Sequence, residues 1–261
     1  MELEEFKKKI SGKDQQLFVT IKDPVTSKTI NYSVSNNTTL WRAQSLFEKE
    51  PITIKWIRSF KKNSVFYDVG ANIGIYSIFA GYVSDVKVYS FEPESNNFQI
   101  LMENILANNL GGKIYPYPIG ISNSSGLTTL YLSKFEKGGS HHVVGESLDH
   151  NLNKKEVKLT QGIFSSTLDD LNKIWKLPKP NYLKIDVDGI EYKIIEKSQN
   201  LLRSKELQSV LIEINPKRDQ DKQIIKTLES FDFFYDQKQV DEAKRKFGTH
   251  IGYAEYLFYK K

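Results

Sequence analysis

The sequence contains no cysteine. This excludes a disulfide scaffold, a thiolate zinc site, an iron–sulfur cluster and a cysteine nucleophile. It also lacks an apolar run of about 18 residues of the kind that crosses a bilayer. The N-terminal MELEEFKKKI carries charges and no apolar stretch, unlike a secretory signal. The last two absences make a soluble, cytoplasmic protein the expectation; the lack of thiols is compatible with either redox state. There is no internal repeat, no low-complexity segment, and no basic run interleaved with aromatics such as a nucleic-acid groove requires. What is plentiful is core material: 39% of the 261 residues are hydrophobic, with 15 Phe and 14 Tyr. That supply rules out wholesale disorder and suits one large α/β domain, alone or with a small appendage.

The formal charge is +5, and it is unevenly spread. Residues 1–62 hold 12 Lys/Arg against 7 Asp/Glu, and the remainder is balanced at 25 of each. A basic N-terminal quarter is either a solvated face or a guide for an anionic substrate or partner.

Along the chain, LFVTI and TINYSV around KDPVTSK read as a hairpin over 17–34, and 38–60 reads as helical with Pro51 opening a second segment. We take residues 1–61 as a hairpin and helical cap and 62–261 as the main domain. There the periodicity alternates. VFYDVG and VKVYSFEP are strands, and the stripes Ile75, Ile78, Phe79, Tyr82, Val83 and Phe98, Leu101, Met102, Ile105, Leu106 are helix faces. KIYPYPIGIS is a third strand. Such β-α-β alternation implies a mostly parallel sheet with helices on both faces. Residues 122–165 break the rhythm and read as an insertion of antiparallel strands and loop. TLDDLNKIW with Thr167 as N-cap, the strand NYLKIDV, a helix through Ile190–Leu202, the strand SVLIEIN and a helix over 219–230 then follow. FDFFYD and AEYLFYK close the chain as strands separated by a polar loop.

Three places carry chemistry. The first is Asp68-Val-Gly70-Ala71-Asn72-Ile-Gly74, a small-residue turn between the first sheet strand and its helix. The glycine spacing fits neither G-x-G-x-x-G nor a P-loop, since Asn72 and Ile75 stand where glycines would be. Glu92, 24 residues after Asp68 and followed by Pro93, ends the next strand, where a carboxylate accepts the hydroxyls of a ribose. A nucleoside site without a phosphate cradle suits S-adenosylmethionine (SAM). The second place is Asp186-Val-Asp188-Gly189-Ile-Glu191, leaving a central strand. Asp186 and Asp188 are candidates to activate a hydroxyl, directly, through a His, or by holding a divalent cation. With Glu213 and Asn215 they form an oxygen-rich rim suited to Mg²⁺. Glu191, Asp169 and Asp170 read as helix N-terminal charges. The third place is Gly138-Gly139-Ser140-His141-His142, where either histidine could serve as base. His150 and His250 have no such context.

In order along the chain, VFYDVGANIGIYSI, VYSFEPESNNFQIL with Asn104 and Asn108, TLDDL, and LKIDVDGIEYKII resemble the FkbM family of SAM-dependent methyltransferases over roughly residues 50–215. The resemblance implies a class I methyltransferase (Rossmann-like) fold of seven strands, the last antiparallel. It implies SAM across the ends of the first strands, with Asp68, Gly70, Ala71, Asn72, Gly74, Glu92 and Pro93 on the cofactor side. It also implies O-methylation of a hydroxyl, most often of a sugar in a surface glycan, glycoconjugate or glycosylated metabolite, as in polysaccharide biosynthesis. The alternatives are an N- or carboxyl-methyltransferase of small molecules, or a non-catalytic domain keeping the fold. Trp41, Tyr131 and Phe135 are aromatic faces on which a sugar could pack.

Overall fold

A computed structural model of the chain describes residues 16–140, 142–146, 156–246 and 251–261. The chain begins with an antiparallel hairpin, β1 (Leu17–Lys22) and β2 (Thr29–Val34), turned at Asp23, whose carboxylate accepts from Val25 N and Thr26 Oγ1. Two short helices follow. Asn36 caps α1 (Asn37–Gln44) by accepting from Thr39 N, and Pro51 opens α2 (Pro51–Arg58).

The main sheet is built from β3 (Val65–Val69), β4 (Lys87–Phe91), β5 (Ile114–Tyr117), β10 (Tyr182–Ile185), β11 (Ser209–Ile214), β12 (Phe233–Tyr235) and β13 (Ala254–Lys260), in the order β12-β13-β11-β10-β3-β4-β5. The pairs around β3 are parallel, whereas β13, the last strand, runs antiparallel to both neighbours. This is the seven-stranded class I methyltransferase fold. Its strands are apolar on both sides because both sides are covered. One side packs α2, α3 (Ile75–Val83) and α4 (Ser95–Ala107) through Ile57, Ile78, Phe79 and Leu101. The other packs α5 (Leu168–Lys173), α6 (Glu191–Glu196), α7 (Gln199–Arg203) and α8 (Asp219–Ser230) through Leu171, Ile194, Leu202 and Leu228. Trp56 of α2 donates to Ser209 Oγ at 2.9 Å, and Phe60 stacks on Tyr182 with centroids 3.9 Å apart.

A second sheet, β6 (Gly120–Ile121), β9 (Leu159–Ser166), β7 (Gly126–Leu132) and β8 (His142–Val144) in that order, occupies the segment that breaks the β-α alternation. Four local expectations need correction. The third strand is interrupted at Pro118, which cannot donate to a ladder, so β5 and β6 belong to different sheets. The helix after Gly189 is two helices, α6 and α7, and Asp169 accepts from Asn200 N and Leu201 N at the start of the second. The polar stretch before β13 contains a helix, α9 (Gln237–Ala243), capped by Asp236. Finally, α4 buries Asn97, Ile100, Leu101, Asn104 and Ile105 and leaves Met102 and Leu106 exposed, so its buried stripe sits one residue from the apolar one.

That shift has a cause in hydrogen bonding. Asn104 accepts from Ser33 N at 2.6 Å and donates to Ile73 O at 2.7 Å. Asn108 accepts from Asn31 N and donates to Asn31 O. The two amides satisfy the backbone of β2 as a neighbouring strand would, and fasten the hairpin to α4 and to the turn after β3. Asn104→Ala is therefore expected to leave two buried backbone groups unpaired and lower stability by about 1–3 kcal/mol. In urea unfolding the midpoint should fall with an unchanged slope; an unmoved midpoint would show that the amide does not hold the hairpin.

Candidate active site

The turn after β3 alternates left-handed residues, Gly70 (φ 79°), Asn72 (φ 51°) and Gly74 (φ 82°). Both glycines are required by the protein itself. A Cβ on Gly70 would stand 2.1 Å from the Asp186 carbonyl oxygen, and one on Gly74 would stand 2.3 Å from Leu101 Cδ1. The turn is thus clamped between the end of β10 and α4. Gly70 N and Ala71 N both donate to Phe91 O, which ties it to the end of β4.

At that end sits Glu92, only 6% exposed. One carboxylate oxygen accepts from Asn72 N at 2.8 Å and the other from Glu94 N at 2.9 Å. Each oxygen keeps a second lone pair for a ligand. Burial raises its pKa to about 7, against those two N–H bonds and helped by the nearby charges of Glu94 and Asp188. Glu94 accepts from Asn96 N and Asn97 N and caps α4.

Gly70, Asn72, Glu92 and Pro93 line a cleft whose floor continues to Asp186 and Asp188 and whose far wall includes Gly139 and His142. Of the other residues expected on the cofactor side, Ala71 and Gly74 shape the turn from below. Asp68 points under it: its carboxylate accepts from Ser77 Oγ at 2.6 Å in the core. Asp68 alternates with Val69 along β3 and so faces α3. The loop before β8 closes over the turn. Asn72 Nδ2 and Asn97 Nδ2 both donate to Gly139 O, and Gly138 N donates to Asn97 Oδ1. His142 lies in this wall and its backbone N donates to Asp188 Oδ2 at 3.1 Å. His141, the other candidate base, lies outside the described residues, as do His150 and His250. Tyr131 and Phe135 do not line the cleft, whereas Trp41 does.

Beyond the turn the floor is a buried charge network. Lys184 of β10 is 2% exposed. Its ammonium lies 2.6 Å from Asp186 Oδ2, 4.0 Å from Glu50 Oε2 and 5.0 Å over the Tyr76 ring. Asp68 is its register partner on β3. Burial opposes ionisation of Asp186, but Lys184 and then Lys49 outweigh it and hold the carboxyl well below its ordinary range. Glu50 is likewise held down against burial, by Lys49 at 2.8 Å and by Lys184. Glu213, at the end of β11, is raised to about 8 by burial and by Asp186, with its ion-pair partner Arg245 opposing.

These pairings bear on the Mg²⁺ option. Asp186 is taken by Lys184 and Glu213 by Arg245, while Asn215 accepts from Lys217 N. Among the described residues no three His, Asp or Glu side chains group so as to hold a metal. The rim's donors therefore do not fit a divalent cation. Composition and motifs assign no role to Lys184, Asn97, Arg42 or Arg245, although the first two fall inside the quoted motifs. A lysine in the middle of an otherwise apolar strand, followed two residues later by Asp186, is the signal that was available.

Residues 68–235 match the family described as the methyltransferase FkbM domain. The hexuronic acid methyltransferase AglP of Haloferax volcanii is 27% identical over 191 residues, covering 73% of this chain and 72% of that protein. Among solved structures, a precorrin-6y C5,15-methyltransferase from Geobacter metallireducens superposes with a TM-score of 0.48 at 12% identity, over 81% of this chain and 87% of that one. An rRNA methylase from Streptococcus thermophilus gives 0.49 at 10% identity, over 82% and 96%. Both superpositions are loose, and the fold rests on the strand order.

The raised pKa of Glu92 has a consequence for stability. A carboxyl that is harder to ionise when folded favours the fold fully below its ordinary pKa of 4.5, and that favour disappears as pH rises through about 7. The unliganded protein should therefore lose stability between pH 4.5 and 7. Glu92→Gln should remove about 2–3 kcal/mol of that loss, read from urea unfolding at pH 5 and pH 8. A variant that kept the full wild-type slope would show that Glu92 titrates normally.

Proposed function

We propose that this chain, which belongs to the FkbM methyltransferase family, binds SAM over the glycine turn and methylates a sugar hydroxyl. The observation that carries this reading is Glu92: a buried carboxylate joined by Asn72 N–H to the glycine turn, facing a cleft at the ends of parallel strands. The residues present fit the cofactor. Glu92 would accept the ribose hydroxyls and Asn72 and Pro93 would border the nucleoside, in a cleft that continues toward Asp186. On this reading the described part of the N-terminal 61 residues forms a cap, the chain from residue 62 supplies the cofactor-binding domain, and the insertion at about 122–165 contributes the cleft's far wall through Gly139, Ser140, His142 and Val144.

When bound, the cofactor supplies an electrophilic methyl group on a sulfonium sulfur. The chain's own residues must orient the hydroxyl and take its proton. Asp186, held ionised by Lys184, is a poor proton acceptor and serves as a fixed negative charge at the floor. Glu213 lines the same cleft, and burial and Asp186 raise its proton affinity, so in its ionised form it is the stronger proton acceptor of the two. Asp188 and His142 frame the opposite lip and bear on how the hydroxyl approaches. A sugar is favoured over a phenol because the cleft walls are polar, with Asn72, Asn97, Ser140 and His142 among them. The hexuronic acid relative supports the same substrate class.

The test is a methyl-transfer screen with SAM across oligosaccharides, nucleotide sugars, phenols and peptides. Sugars should be methylated to alkali-stable ethers. Glu92→Gln should raise KM for SAM, and Glu213→Gln should lower kcat by about 10²–10⁴ with SAM affinity kept. Transfer confined to phenols or peptides, or alkali-labile esters as products, would overturn the sugar-hydroxyl reading.

A further inference from the structure

The cleft wall opposite the sheet is made by α1 and the residues just after it, and it carries cations. Trp41, Arg42 and Lys49 all line it. Lys49 is committed to Glu50 at 2.8 Å. Arg42 is not committed in that way: none of the ion pairs among the described residues uses it. Among the described residues its one hydrogen bond runs from Nε to Gly138 O at 2.7 Å, and the side chain lines the cleft.

The support behind that hydrogen bond is stiff. The loop carrying Gly138 is held to α1 by Asn36 Nδ2 donating to Lys137 O at 2.9 Å and Thr38 Oγ1 donating to Glu136 Oε1 at 3.0 Å. On its other side Asn97 accepts from Gly138 N. Two cations also share this wall. Glu50 above all keeps Lys49 protonated, while burial and the Arg42 charge work against it. Asp186 on the floor offsets part of this at Lys49, whereas no floor acid is ion-paired with Arg42 among the described residues, Asp186 and Glu213 being paired with Lys184 and Arg245. Beside Arg42, Trp41 leaves 52% of its surface exposed at the cleft mouth, an unusual cost for the largest apolar side chain.

We propose that α1 carries the recognition subsite for an anionic sugar, in which the Arg42 fork binds a carboxylate or phosphate on the acceptor and the Trp41 ring packs against the C–H face of the same or the adjoining residue. A planar guanidinium held at Nε presents paired donors that match a carboxylate or phosphate, and an indole face offers a sugar apolar contact without desolvating its hydroxyls. This subsite rests on the sugar reading above and adds to it a charge requirement and the residues that impose it.

The experiment is calorimetry on the full chain with S-adenosylhomocysteine present. The probes are a glucuronate trisaccharide, its carboxyl-reduced neutral counterpart, and glucose 6-phosphate, against wild type, Arg42→Gln, Arg42→Lys and Trp41→Ala. The glucuronate trisaccharide should bind at least tenfold tighter than the neutral one. Arg42→Gln should abolish that ratio while leaving the neutral trisaccharide and S-adenosylhomocysteine within twofold. Arg42→Lys should restore only part of it, and Trp41→Ala should weaken both trisaccharides by a similar factor. Glucose 6-phosphate tells a phosphate preference from a carboxylate one. If Arg42→Gln weakens S-adenosylhomocysteine and spares the ratio, the arginine serves the cofactor carboxylate and the proposal fails. Equal loss on both trisaccharides would reduce Arg42 to a loop support. Equal wild-type affinity for both would remove the charge requirement but keep the sugar, whereas binding of no sugar at all would overturn the sugar reading itself.

Discussion

One buried ammonium holds the floor of the cleft together. Lys184 lies on the central strand β10, between β3 and β11, and its charge is shared by Asp186, Glu50 and, across the register, Asp68. Burial drives each of these carboxyls toward the neutral acid; Lys184 reverses that at Asp186, and Lys49 together with Lys184 reverses it at Glu50. The same ammonium sits over the Tyr76 ring in α3. Glu50 introduces α2 and Asp186 introduces the Asp188–Gly189 turn, so three parts of the chain distant in sequence are joined at one charge. Replacing such a pair by apolar groups is often tolerated, but removing one partner strands the others in a medium that solvates them poorly.

Around that charge the cleft is closed by amides. Asn104 and Asn108 hold β2 as a strand neighbour would, and Asn36, Asn72 and Asn97 hold the loop at Gly138 and Gly139. Asn97 and Asn104 lie on one face of α4, so a single helix supports both the cap and the wall. This explains how a cleft with polar walls stays shaped: the loop and the hairpin have side-chain amide partners, and the carboxylate of Glu92, the floor acids and Arg42 are among the groups left lining the cleft. The functional reading follows from that division between groups used in holding the cleft and groups left over for a ligand.

Much of the fold was legible because it rests on period. The β-α-β alternation of apolar stripes gives a parallel sheet with covered faces almost directly, while the seven strands with an antiparallel last one followed from the family resemblance, and Glu92 could be placed at a strand end, where ligands bind in such sheets. Departures came where polar residues do the work of apolar ones. Asn97 and Asn104 are invisible to a hydrophobic stripe, so the buried face of α4 was read one residue off. The helix α9 lies in a run with few apolar residues and a capping Asp236. Asp68 reads as a site acid by position, but strand alternation turns it inward to Ser77. Lys184 carried only the signal of a lysine inside an apolar strand, and Arg42 carried none, because a lysine or arginine acquires its full meaning from which carboxylates the fold brings within a few ångströms.

The most direct test of this account removes the central charge. Urea unfolding of Lys184→Met should show a loss of about 3–5 kcal/mol at pH 8, where Asp186 is ionised without its nearest partner and Glu50 keeps only Lys49. At pH 5 the loss should be clearly smaller, because without the lysine burial raises their pKa values and they take up protons. A loss of equal size at both pH values, or none at pH 8, would mean that Lys184 contributes only its packing, and would contradict the claim that one buried cation holds the acidic floor of the cleft.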